Sequence, residues 1–192
     1  LQTTGRLYAQ YMNHDMEYAG RAEVELGSKK FGVLGGIGYK QLGDIHAGGD
    51  LGTLSPTGFD EFSWDVKTKV KVGNMLLTGA WQHLVPEDVP LYHQIASGSY
   101  SRYHFNPQQR DLGYIRLAST HSSKIFSQVR YTVAYLNSLE VREKQRTGSP
   151  VFRTERDRVD TYHGGIEVIS DLSSRWKVSS GVELYHDYVG SS

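Results

Sequence analysis

The chain has 192 residues with 21 basic and 21 acidic side chains, so its formal net charge is zero, and with no recurrent basic patch no nucleic-acid partner is expected. It contains no cysteine, which excludes disulfides and thiolate metal sites. No run of about 18 apolar residues is present to cross a bilayer as a helix.

Alternation at period two recurs along the chain, and 13 Tyr with 21 Gly suit a sheet. Nine strands are predicted. The first sets Leu7, Ala9 and Tyr11 against Arg6, Tyr8 and Gln10; the second sets Tyr18, Gly20, Ala22, Val24 and Leu26 against Arg21, Glu23 and Glu25. The third alternates Phe31, Val33, Gly35, Ile37 and Tyr39 with Gly32, Gly36, Gly38 and Lys40. The fourth, "FSWDVKTKVKV", is apolar at Phe62, Trp64, Val66, Val70 and Val72 and polar or charged at Ser63, Asp65, Lys67, Lys69 and Lys71. "LLTGAWQHL" (76–84) and "DLGYIRLAST" (111–120) are the fifth and sixth, and "IFSQVRYTVAY" (125–135) the seventh. The eighth covers 159–169, and the ninth carries Trp176, Val178, Val182 and Leu184 on one face. Successive strand residues point to opposite faces, so each strand has one oily and one ionic side.

Links of two lengths join these strands. Those at 27–30, 73–75, 121–124 and 170–175 are short, while 43–58, 85–110 and 137–158 are long, and the two kinds alternate. All short turns then fall at one end of the sheet, as in outer-membrane barrels. Only the first hairpin, "NHDME" (13–17), is short where a long link is expected. Aromatic residues near strand ends (Phe31, Trp64, Trp81, Tyr135, Trp176) suit interfacial girdles. The alternative is a soluble β-sandwich module whose oily faces meet in a core and whose loops present a carbohydrate or protein site.

Three stretches carry a family likeness: "PTGFDEFSWDVKTKVKVGNMLLTGAWQHLVPEDVPLYH", "YHFNPQQRDLGYIRL" and "AGRAEVELGSKKFGVLGGIGYKQLGDIHAGG". They resemble the barrel of TonB-dependent outer-membrane receptors of the siderophore and haem uptake branch. The resemblance implies an all-β fold: antiparallel up-and-down transmembrane strands, about nine here, belonging to a 22-stranded barrel. It implies a partial barrel over 1–192, with the plug domain and TonB box outside this chain. It further implies a bacterial outer-membrane receptor, partnered by outer-membrane lipid and the TonB complex, that imports an iron chelate or haem and needs no cofactor of its own.

No phosphate-cradling loop, nucleophile elbow or zinc-protease pattern occurs, so an enzyme is not expected. Alternate glycines in "GVLGGIGYK" would either let another part of the protein approach or ease strand curvature. The 85–110 link holds Tyr92, His93, Tyr100, Arg102, Tyr103, His104 and Phe105, and His46 lies in the 43–58 link. Aromatics with Arg suit a flat or catecholate ligand, and imidazole can ligate haem iron. These eight are the predicted ligand-binding residues. The mixed-charge link 140–158 is expected to be a solvated loop, with contact to an anionic iron chelate or lipopolysaccharide as the alternative.

Overall fold

A computed structural model describes residues 1–14 and 16–192. Nine long strands occur among them: β1 (Gln2–Met12), β2 (Glu17–Gly27), β3 (Phe31–Leu42), β4 (Phe59–Val72), β5 (Met75–Glu87), β6 (Tyr100–Thr120), β7 (Gln128–Arg146), β8 (Phe152–Asp171) and β9 (Lys177–Ser191). Each runs antiparallel to its neighbour in the chain, so sheet order equals chain order. Short links at 28–30, 73–74, 121–127 and 172–176 gather at one end. The other end holds the connections 43–58, 88–99 and 147–151 and the first hairpin, of which Asp15 lies outside the described residues.

The register keeps the two faces apart along every strand. Trp64 sits between Ile37 and His83, Phe62 between Tyr39 and Val85, and Val133 between Ile115 and Gly164. No second layer covers them among the described residues. Ile37 and Val133 are each 58% exposed, Val182 is 67% exposed, and among the described residues the one buried apolar side chain is Ile169. A sandwich would bury these residues, and the described residues hold no second sheet packed on them. On the opposite face, charges pair across strands. Arg21 Nη2 meets Asp65 Oδ1 at 2.5 Å, Lys40 Nζ meets Glu61 Oε1 at 2.8 Å, and Arg130 Nη1 meets Glu167 Oε2 at 2.9 Å.

The apolar face has a sharp upper border. Trp81, Tyr135, Tyr162 and Tyr188 form a chain of rings with centroids 6.3, 5.2 and 6.1 Å apart. Beside it lies a polar row. His83 Nδ1 and Asp111 Oδ1 are 2.6 Å apart, while Tyr135 Oη and Asn137 Nδ2 donate to Asp160 Oδ1 at 2.5 and 2.8 Å. Gln128 and Thr120 pair near the short-turn end, and Asn137 and Asp111 pair in the polar row. The intervening run is about ten residues, matching the roughly 9–11 that a tilted strand needs to cross hydrocarbon.

Glycines admit bulky neighbours at two places. At Gly36, between Glu23 and Asp65, a Cβ would stand 2.4 Å from the Arg21 guanidinium that bridges the two acids. Neither closer approach by another part of the protein nor eased curvature is needed to account for this position: the gap holds an arginine of the neighbouring strand. At Gly113, on the apolar face, a Cβ would stand 2.4 Å from Trp81 Cε3.

The link 43–58 has its predicted bounds, whereas the other two predicted long links are shorter than expected. β6 begins at Tyr100 and not at Asp111, β7 continues to Arg146, and β8 starts at Phe152. The expected loop 137–158 is therefore a tall hairpin closed by residues 147–151, and 85–110 shrinks to 88–99. Within the latter, Val89–Pro90 pairs with Phe105 and His104, followed by the single-turn helix α1 (Tyr92–Ala96). Ile125 belongs to the turn 121–127, and Trp176 precedes β9. Polar residues on both sides of the tall hairpin remove the alternation that marks a strand.

Gly113→Ala forces the Trp81 ring aside and lowers stability by about 1–3 kcal/mol, whereas Gly164→Ala, with nothing within 4 Å of its Cβ, leaves it unchanged. Thermal unfolding in detergent, followed by tryptophan emission, compares the two. Equal melting temperatures would contradict the close Trp81–Gly113 packing.

Candidate ligand-binding site

β6, β7 and β8 rise past the aromatic border, and cross-strand ion pairs hold them together. Arg142 pairs with Asp157, and Lys144 Nζ meets Glu155 Oε1 at 2.5 Å. Gln108 Nε2 donates to Glu140 Oε1 at 3.0 Å on the same face. A register shift between Glu140 and Arg142 accommodates Pro107, which cannot donate to a regular ladder. At the tip, the Thr147 N–H donates to Ser99 O at 3.3 Å, and Gln145 Nε2 donates to Ser149 O at 2.9 Å. Gly148 takes φ 75° in this tight turn, a region open to glycine.

These contacts shape a pocket of about 310 Å³ lined by Tyr100, Lys144, Arg146, Ser149, Val151 and Arg153. The Arg146 guanidinium carbon lies 6.0 Å from the centre of the Tyr100 ring. Three cationic side chains beside an aromatic wall suit an anion carrying a planar group.

The eight predicted residues separate into four groups. Tyr100, Tyr103 and Phe105 form a row on β6 with ring centroids 5.0 and 6.3 Å apart. Arg102 and His104, on the same strand, turn to acids instead: Arg102 Nη2 is 2.7 Å from Glu143 Oε2, and His104 Nδ1 is 3.9 Å from Asp88 Oδ1. All five stand on a strand and not in the loop the sequence predicts, because both faces of this part of β6 are polar or aromatic. Tyr92 and His93 lie on α1, where His93 Nε2 is 3.1 Å from Gln94 Nε2. His46 sits in another connection, with its Nδ1 2.9 Å from Thr53 Oγ1. No group of three His, Asp or Glu side chains converges as a metal cage among the described residues. Sequence reasoning missed Lys144, Arg146 and Arg153 as individuals. The available signal was the mixed charge of 140–158.

Asp44 organises the connection that carries His46. Its Oδ1 accepts the N–H groups of Thr57 at 2.6 Å and Gly58 at 2.9 Å, while Thr57 Oγ1 donates to Leu54 O at 2.7 Å. The Ser55 hydroxyl and then the Thr57 N–H hold the Asp44 carboxyl below its ordinary value, against an opposing contribution from burial.

No protein-family sequence model matches the chain, and no curated protein matches it. Among solved structures, the chain is similar to one named copper transporter OprC, with a TM-score of 0.77 and 14% identity. The alignment covers 98% of this chain and 28% of that one, so the chain spans little more than a quarter of its neighbour's length. The likeness shows the fold: a run of antiparallel barrel wall.

Because the folded connection favours ionised Asp44, its contribution is present above the ordinary carboxylate value of about 3.9 and is lost as pH falls through the lower folded value. The Thr57 amide resonance in micelles is expected to titrate with a midpoint below 3.9, and Asp44→Asn to abolish the transition. A midpoint above that value would contradict the hydrogen-bonded geometry.

Proposed function

We propose that the chain forms part of the wall of a bacterial outer-membrane receptor that imports a scarce metal complex. In this reading further strands close the barrel, a plug fills it, and the TonB complex supplies the energy. The observation that carries the proposal is the two-faced sheet. One face is a bare apolar band about ten residues tall, bordered by Trp81, Tyr135 and Tyr162, and the other is a ladder of ion pairs. Lipid accounts for the first face and a wet lumen for the second. Further strands are required because β1 and β9 end the sheet, and open edges are costly in hydrocarbon. The structural likeness to the copper transporter OprC supports the transport part of this reading.

For the cargo we favour an anionic ferric chelate, a siderophore, over haem. The pocket at Tyr100, Lys144, Arg146 and Arg153 offers cations and an aromatic wall, and no histidine lines it. A copper cargo is the second reading, favoured by the name of the structural neighbour.

Two experiments test this. Val133→Lys places a charge in the bilayer at about 2–4 kcal/mol near its midplane, whereas Thr132→Lys places it in the lumen. Heat-modifiable gel mobility of outer-membrane fractions is expected to show a loss of folded protein for the first alone, and equal behaviour would remove the membrane reading. In the whole receptor, Arg146→Ala with Arg153→Ala is expected to cut uptake of radioactive ferric siderophore at least tenfold at unchanged abundance. Unchanged uptake would remove this pocket as the siderophore site.

A further inference from the structure

Away from this pocket, two connections distant in sequence meet at the rim. The turn between β1 and β2 carries His14 and Met16, and the connection between β3 and β4 carries His46. They are fastened twice. The Gly43 N–H donates to Met16 O at 3.1 Å, and the His46 N–H reaches Met16 Sδ at 3.4 Å. The imidazoles of His14 and His46 lie side by side, with ring centroids 5.1 Å apart and planes inclined by 43°.

Three further details suit a site built for a cation. His46 Nδ1 is engaged by Thr53 Oγ1 at 2.9 Å, directly across the short pairing of His46 with Thr53. A hydrogen bond at one ring nitrogen fixes the orientation of the ring and leaves the other free to ligate, as outer partners of metal-binding histidines do. His14 has φ 59°, which is uncommon for a residue with a side chain and costs backbone energy that local structure must hold. Finally, both histidines are exposed while Met16 is half-buried, with its sulfur held 3.4 Å from the His46 N–H, so an ion arriving from solvent meets the imidazoles beside a thioether.

We propose that His14, Met16 and His46 form a copper-binding site at the barrel rim. Two neutral imidazoles and a thioether match copper in both oxidation states, because imidazole suits Cu(II) and the soft sulfur selects Cu(I). Zinc is served by the imidazoles and gains little from the thioether. The site stands on the geometry of these two connections and holds whichever cargo passes through the barrel. Its chemistry is capture of a bare or weakly chelated ion, in contrast with the cationic pocket on β6–β8.

The test uses the protein purified in detergent and titrated with Cu(I) under ascorbate, Cu(II) or Zn(II). A competing chelator screens out isolated surface histidines. One copper per chain is expected. His14→Ala and His46→Ala each weaken binding of both copper states at least tenfold, and Thr53→Val weakens it less. Met16→Leu, similar in volume, weakens Cu(I) at least tenfold but Cu(II) and Zn(II) less than threefold, and removes the sulfur scatterer from the copper X-ray absorption spectrum. Heat-modifiable mobility reports that each variant is folded. Copper binding by a folded His14→Ala/His46→Ala variant equal to wild type would overturn the site, as would unchanged Cu(I) affinity in Met16→Leu. Siderophore uptake is predicted to be indifferent to these substitutions, so failure here is distinct from failure of the transport reading.

Discussion

Backbone N–H and C=O groups find no water inside a bilayer, so a strand there must give all of them to neighbouring strands. That demand leaves the side chains only two directions, and in this chain the two directions carry different chemistry, apolar on one face and ionic on the other. The continuous antiparallel pairing satisfies the backbone of β2 to β8 on both sides without a core and leaves one edge each of β1 and β9 for further strands. Val133, Ile37 and Val182 need no protein partner because hydrocarbon takes that part in the proposed setting. In that setting the ring chain from Trp81 to Tyr188 and the polar row of Asp111, Asn137 and Asp160 would mark where hydrocarbon gives way to water. Above that line, in the same setting, both faces would be wet, and the cationic pocket beside Tyr100 stands there.

The polar face follows from the same demand. Its pairs are at least partly solvated, and such pairs contribute at most about 1 kcal/mol each. They keep charges satisfied on a crowded wall and add little to stability. Arg21 illustrates the packing constraint: its guanidinium reaches over Gly36 to join Glu23 with Asp65. Any side chain at Gly36 would occupy the same volume. Trp81 over Gly113 is the apolar counterpart, with a rigid indole in place of a flexible arginine.

Legibility in the sequence tracks this division of solvents. Between the short turns and the aromatic border, strands such as Phe62–Val72 announce themselves because oily and ionic positions alternate. Past the border, Asn137–Arg146 and 152–159 are polar on both sides, so a hairpin of the same sheet reads as a charged loop. The candidate site suffers from the same blindness. Tyr100, Tyr103 and Phe105 stand out by residue type, but Arg146 and Arg153 gain meaning only once the hairpin register sets them beside Tyr100. His46 was visible as a histidine in a long connection. Its neighbour His14 lies two strands earlier, and nothing local to either residue relates them.

The unequal height of the strands has a consequence for traffic. β6, β7 and β8 stand well above β1 to β3, so in a closed barrel the mouth has a parapet on one flank and a low sill on the other. In the proposed receptor the tall flank would stand between bulky macromolecules and the opening, while the lower wall at His14 and His46 would leave room for small solutes. Such a wall would sort visitors by size and by angle of arrival before any chemical recognition begins.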